Sequence, residues 1–206
     1  MPPKQPKSAL SRALLDKLWE QCNWAHEVWT LHRALIDGNR RKRTLERGPH
    51  LDFITTVGKA LADYVLLQIT KLHDRAVVAG RVSLTLEYVV EYGGWDQVTR
   101  RKLARLKGRL DALDGKIRPA RNRLISHNDL AAVLSEQSLG GFAAGADQRY
   151  FKTLHSFVST AYQSTTGGPC APFSTFKHDT QLAVAALASS TTSLRRQRRK
   201  TVARGG

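Results

Sequence analysis

Apolar residues recur every three or four positions along most of this chain, and four stretches carry the rhythm clearly. Over residues 8–36, Leu14, Leu18, Cys22, Ala25, Trp29, His32 and Ile36 fall on one side of a helix. Ser8 is its expected N-cap, and Asp37-Gly38-Asn39 stops it. A second helix is predicted over 51–71, with a stripe of Ile54, Val57, Leu61, Tyr64 or Val65, Gln68 and Leu72. The third carries the most regular pattern: Leu103, Leu106, Leu110, Leu113, Ile117, Ala120 and Leu124 alternate spacings of three and four. Such a seam suits left-handed packing against another helix. Pro119 interrupts it and predicts a kink or break near Lys116. A fourth helix is expected over 147–162, using Phe151, Leu154, Val158 and Ala161, and Thr166-Gly167-Gly168-Pro169 breaks it. A weaker one is expected over 175–188.

Residues 75–94 are less regular. Leu84-Thr85-Leu86-Glu87 alternates like a strand, yet Ser83 is a fitting cap for a short helix. The helical reading is taken because nothing else in the chain supplies a partner strand. The fold expected is therefore all-α, a bundle of four to five helices. A flexible N-terminus covers 1–7, one helical domain covers 8–190, and a basic, disordered tail covers 191–206, where Arg195-Arg-Gln-Arg-Arg-Lys200 stands.

Charge changes the picture most. Thirty-three Lys and Arg stand against seventeen Asp and Glu, a formal net charge of +16. That excess repels itself in a compact fold and favours a polyanionic partner, although solvated surfaces and a charged tail are the plain alternative. Between Arg100 and Arg123 there are ten Lys and Arg but two Asp, so the outer face of the third helix is strongly cationic. Arg40, Arg41, Lys42 and Arg43 form a second basic run, in a loop closed by Gly48-Pro49. The two cysteines, Cys22 and Cys170, are far apart and lack a CxxC partner, which excludes the common zinc frameworks and a disulfide scaffold. Cys22 sits in the first apolar stripe as a small core residue. No metal or cofactor is expected, and no apolar run approaches the ~20 residues of a membrane span. With no signal-type segment after the charged N-terminus, the expected location is the cytoplasm.

One constellation carries chemistry. Arg121-Asn122-Arg123-Leu124-Ile125-Ser126-His127 ends the third pattern, with His127 at the position where the seam calls for another leucine. One reading is a core histidine hydrogen-bonded to a neighbour. The other is a seam that faces a cleft or a partner subunit, where an imidazole, ordinarily titrating near ~6.5, exchanges protons at neutral pH. RNA cleavage without metal needs that chemistry: a base takes the 2′-hydroxyl proton, cations stabilise charge on phosphorus, and an acid protonates the departing 5′-oxygen. At ~100° per residue, Arg121 and His127 stand about 120° apart on an ideal helix, whereas Arg123 lies one turn from His127. Arg121 then needs its long reach, a kink at Pro119 or a second copy of the motif, and Arg123 competes for the phosphate.

The run resembles the Arg-polar-x(4–6)-His signature of the HEPN superfamily. Trp29-Thr-Leu-His-Arg-Ala-Leu35, Leu67-Gln-Ile-Thr-Lys-Leu-His-Asp74, Val82-Ser-Leu-Thr-Leu86 and Arg118-Pro-Ala-Arg-Asn-Arg-Leu-Ile-Ser-His-Asn-Asp-Leu130 are similar to its abortive-infection, AbiU-like branch. The likeness covers residues 10–135. It implies a helical homodimer whose paired motifs form a metal-independent ribonuclease site, with Arg121 and His127 as the catalytic pair and Asn122 supporting them. It also implies RNA as substrate, phage defence or toxicity as role, and an antitoxin or defence-system protein as a further partner. Arg118, Arg123 and the Arg40–Arg43 run are the expected RNA contacts, and a non-catalytic RNA- or protein-binding module is the alternative. One departure is notable: Asp129 occupies the place two residues after the histidine where toxins silenced by nucleotidylation carry a tyrosine. Asp129 either orients the imidazole or caps a following turn. His73-Asp74 reads as a turn, His26 and His32 do not share a helix face, and the four tryptophans read as core.

Overall fold

A computed structural model describes residues 10–36, 51–115 and 144–174 in full, 116–120 as backbone, and the isolated positions 179, 181–183, 185–186, 189–190 and 193. Within them run α1 (Arg12–Ile36), α2 (Leu51–Leu72), a hairpin of β1 (Val77–Val78) and β2 (Arg81–Val82), α3 (Leu86–Tyr92), α4 (Gln97–Ala120) and α5 (Ala146–Thr166). The fold is an all-α bundle, as the apolar rhythm predicts. The described positions of the weaker 175–188 helix, 179, 181–183 and 185–186, are helical too. The N-terminal 1–7 and most of the basic tail lie outside the described residues.

Most helix bounds match the sequence reading, with local shifts. α1 is capped by Ser11, not Ser8: the Leu14 N–H donates to Ser11 Oγ at 3.3 Å and the Leu15 N–H to the Ser11 carbonyl at 3.2 Å. Its buried stripe is Leu15, Leu18, Cys22, Ala25, Val28 and Leu35, so the inner face is rotated by about one position from the one expected. Trp19, Trp29 and Trp95 are half-buried, whereas Trp24 is 47% exposed, so the core reading fails for Trp24. In α2, Val65 is the buried choice and Tyr64 faces outward.

The stretch 75–94 departs furthest from expectation. Val77 pairs with Val82 and Val78 with Arg81 across a two-residue turn, Ala79-Gly80, both at positive φ (48° and 78°). That is the backbone a tight hairpin requires. The partner strand thus lies within the stretch itself, just across the turn. The helix that follows is capped by Thr85, whose Oγ1 accepts from the Tyr88 N–H at 3.2 Å. Trp95 folds back on this helix and donates from Nε1 to the Val89 carbonyl at 2.6 Å.

The chain divides into two compact units, Met1–Ala25 with Leu66–Phe173 and His26–Val65 with Ser174–Gly206. In the second, Leu35 and Ile54 form a small core with Leu31, Ile36, Val57 and Leu61 against it. Two histidines are tied there to separate carbonyls: His32 Nδ1 donates to Gly58 at 2.8 Å and His26 Nδ1 to Ser174 at 3.1 Å. In the first, α4 packs along α5, and α3 packs on α4. Tyr150, Phe157, Leu15, Leu18, Ile69, Leu86, Leu103, Leu110 and Leu154 are its fully buried large side chains. Burying each contributes roughly 1.5–3 kcal/mol relative to exposure, which is what holds helices with so polar an outer face together.

Candidate functional site

α4 is the element that delivers the chain to the Arg121–His127 run, so the site is built from it. The helix begins at a strong cap. Asp96 accepts from the Val98 and Thr99 N–H groups at 2.8 and 2.9 Å and from the Thr99 hydroxyl at 2.6 Å. Those bonds, the Thr99 hydroxyl foremost, hold its carboxyl below the usual range, and a carboxylate there also suits the positive end of the helix dipole. Thr99 Oγ1 lies 3.2 Å from Ser164 Oγ, joining the start of α4 to the end of α5. The two helices are therefore antiparallel, and α4 ends at the side of the unit where α5 begins.

Towards that end the apolar seam changes character. Leu103, Leu106 and Leu110 are buried, but the next inward position is Asp114, only 3% exposed, while Leu113 is half-buried. Around it stands a cluster that joins three elements. His73, in the turn after α2, places Nδ1 2.7 Å from Asp111 Oδ1 and Nε2 3.0 Å from Tyr150 Oη. Lys107 Nζ donates to the other Asp111 oxygen at 2.7 Å.

The protonation states follow from the surroundings. Burial pushes His73 below its ordinary 6.5, against the opposing pull of Asp114 and Asp111. The ring is therefore neutral at pH 7: Nδ1–H donates to the carboxylate, and Nε2 accepts from the Tyr150 hydroxyl. Burial foremost raises Tyr150 well above its usual 10.0, which keeps that hydroxyl a donor. For Asp111, burial pushes upward, but the hydrogen bonds from Lys107 and His73 outweigh it and the carboxyl stays ionised. The His73 side chain is 1% exposed, so no substrate reaches it. The arrangement fastens the end of α2 to the last turns of α4 and the first of α5.

The sequence places His73 and Asp74 in a turn, and the turn is present: their N–H groups donate to the Thr70 and Lys71 carbonyls at 3.1 and 3.3 Å. The cluster itself is not foreseen, because His73 reaches Asp111 and Tyr150, 38 and 77 residues further along the chain. The signal available was Asp114, four residues past Leu110 and in register with the buried leucines. Of the kink or break expected near Lys116, the break is absent: α4 runs as one helix to Ala120. Arg121 follows its last residue directly. Arg121, Asn122, Arg123, His127 and Asp129 lie outside the described residues, as do Arg40, Arg41, Lys42 and Arg43 and the side chain of Arg118. Among the described residues no group of three His, Cys, Asp or Glu is arranged to hold a metal, and no helix is long and apolar enough to cross a membrane.

Comparison with known proteins adds the deciding observation: the family model of the HEPN domain of AbiU2 matches residues 10–189. The chain belongs to the HEPN AbiU2 family. No curated protein and no solved structure matches it. As a HEPN domain of an abortive-infection family, the chain carries the match across every described helix and across the Arg121–His127 run. The AbiU2 match also extends past residue 135, where the sequence likeness ends, and takes in α5 and the helix break at Gly167-Gly168.

Proposed function

We propose that this HEPN protein is a metal-independent endoribonuclease that acts on RNA in phage defence or as a toxin. The observation that carries the reading is the Arg121-Asn122-x(4)-His127 run, set directly after α4 and inside the family match. His127 removes the 2′-hydroxyl proton and returns a proton to the departing 5′-oxygen. Arg121 stabilises the charge that develops on the phosphate, and Asn122 supports the pair. Arg118, Arg123 and the Arg40–Arg43 loop hold the RNA backbone. Two copies of the chain pair their motifs into one composite site, which relieves the ~120° offset that an ideal helix leaves between Arg121 and His127. A neutralising antitoxin or another defence protein is the expected further partner. The cytoplasm, where RNA is available, is the expected location.

The mechanism leaves a chemical record. Attack by the 2′-hydroxyl produces a 2′,3′-cyclic phosphate on one fragment and a 5′-hydroxyl on the other. We expect the purified chain to cut RNA in EDTA and to leave those ends. Arg121→Ala should lose at least about a hundredfold in rate, in line with removal of one preorganised charge-stabilising group. Fragments with 5′-phosphates, or cleavage that EDTA abolishes, contradict the mechanism. Loss of cleavage in Arg123→Ala but not in Arg121→Ala reassigns the phosphate contact. RNA binding with no cutting at all returns the chain to a non-catalytic binding module.

A further inference from the structure

The cations of α4 whose side chains are described fall into two groups that the sequence alone does not separate. Arg100 is paired with Glu91, and Lys107 with Asp111. Arg101, Lys102, Arg105 and Arg109 are in no ion pair among the described residues, and all four face solvent. At ~100° per residue these four occupy an arc of about 100°, opposite buried Leu103, Leu110 and Asp114. The two carboxylates of the helix lie elsewhere: Asp114 is buried and Asp111 is held by His73 and Lys107. The outer face of α4 is thus a ridge of four like charges within about two and a half turns, with no acid of the helix among them. Arg101 faces Arg105, and Arg105 faces Arg109, at the four-residue spacing where like charges repel.

Beside that ridge the helix is bare. Gly108 stands in the middle of α4, and a Cβ built on it meets nothing within 4 Å. Glycine weakens a helix interior, and here no described neighbour requires it. Ala104 and Ala112 flank it, both exposed. The backbone is therefore open to close approach along a line next to the cations.

We infer that the outer face of α4 is a track for an RNA strand, with Arg101, Lys102, Arg105 and Arg109 holding successive phosphates and Gly108 admitting the sugar-phosphate backbone against the helix. That the polyanion is RNA rests on the ribonuclease reading. A protein partner fits this face less well, because protein interfaces place aromatic and apolar residues at their centre and deplete charge there. Among the described residues, Val98 is the one large apolar side chain on the arc, 76% exposed at its N-terminal end. Arginine forks suit phosphate oxygens, and α4 carries no aromatic ring, so the binding is to the backbone and independent of base sequence.

The test measures binding of a short unstructured RNA, 2′-O-methylated so that it cannot be cut, across a series of salt concentrations. On a single strand each phosphate held adds about 0.7 to the slope of log K against log salt, so the slope of the Arg101→Gln/Arg105→Gln/Arg109→Gln chain should be smaller by about two. That chain should also bind at least about tenfold more weakly at low salt, while Arg100→Gln keeps the parent slope. The substituted side chains are exposed, and a melting temperature no lower than the parent's establishes that the variant is folded. A folded triple variant with the parent slope overturns the track. So does a polyglutamate competitor that binds the parent chain more tightly than RNA does, which assigns the face to an acidic protein. If the parent chain cuts no RNA while the triple variant still shows the smaller slope, the track stands and the ribonuclease reading falls.

Discussion

His73 holds a neutral imidazole between a tyrosine hydroxyl and a carboxylate, and the hydrogen bond to Tyr150 depends on that neutrality. Its folded pKa lies below the ordinary 6.5, so below that pH the unfolded chain binds more protons than the folded one. The contribution to stability is full above about 6.5 and is lost as pH falls through the folded value. Thermal melts between about pH 7 and 5 should show the melting temperature dropping, with a shallower slope in His73→Gln. That variant should also lose roughly 1–3 kcal/mol at pH 7, because it leaves a buried donor or acceptor without its partner. A His73→Gln protein with the parent's pH slope contradicts the assignment. The turn at His73-Asp74 was legible from local chemistry, whereas the bond to Asp111, 38 residues on, was not. Nothing in the spacing of the two residues announces it, and only a carboxylate in leucine register at Asp114 hinted that this end of α4 is polar.

Helices were legible where the apolar rhythm was long, because one buried stripe fixes both the period and the face. Leu103, Leu106 and Leu110 of α4 and Phe151, Leu154, Val158 and Ala161 of α5 are buried as their spacing predicts. α1 was rotated because Trp29 counts as apolar in a pattern yet remains half-buried, while Leu15 and Val28 pack fully. The hairpin at 77–82 was not legible, since two residues a side are too short for alternation to register. Two glycines separate packing from conformational cost. Gly108→Ala adds a methyl group in open space and should stabilise the protein by about 0.5–1 kcal/mol, read as a higher urea midpoint. At Gly58 the added Cβ runs into the Ile36 side chain, which packs against the Leu35–Ile54 core. Ile36 must then leave its rotamer, at roughly 0.5–1.5 kcal/mol, which cancels the helical gain. Gly58→Ala should therefore show no increase in midpoint, and an increase equal to that of Gly108→Ala contradicts the close contact.

The molecule as a whole joins a family match over 10–189, a charge of +16 and a helix that runs without interruption to the residue before Arg121. The family was legible because the Arg121-Asn122-x(4)-His127 run, with His127 at a seam position, stands beside three further segments that resemble the same branch. If the site is shared between two copies, mixing Arg121→Ala and His127→Ala chains restores cleavage that neither shows alone, since each mixed pair contains one intact arginine and one intact histidine across the seam. Recovery absent from demonstrably mixed dimers contradicts the shared site while leaving the chemistry itself intact. The most direct measurement is cleavage of single-stranded RNA in EDTA by His127→Ala beside the parent chain. The account predicts that the parent cuts and the variant does not, although the variant folds and binds RNA as the parent does. A His127→Ala chain that cuts at the parent rate contradicts it.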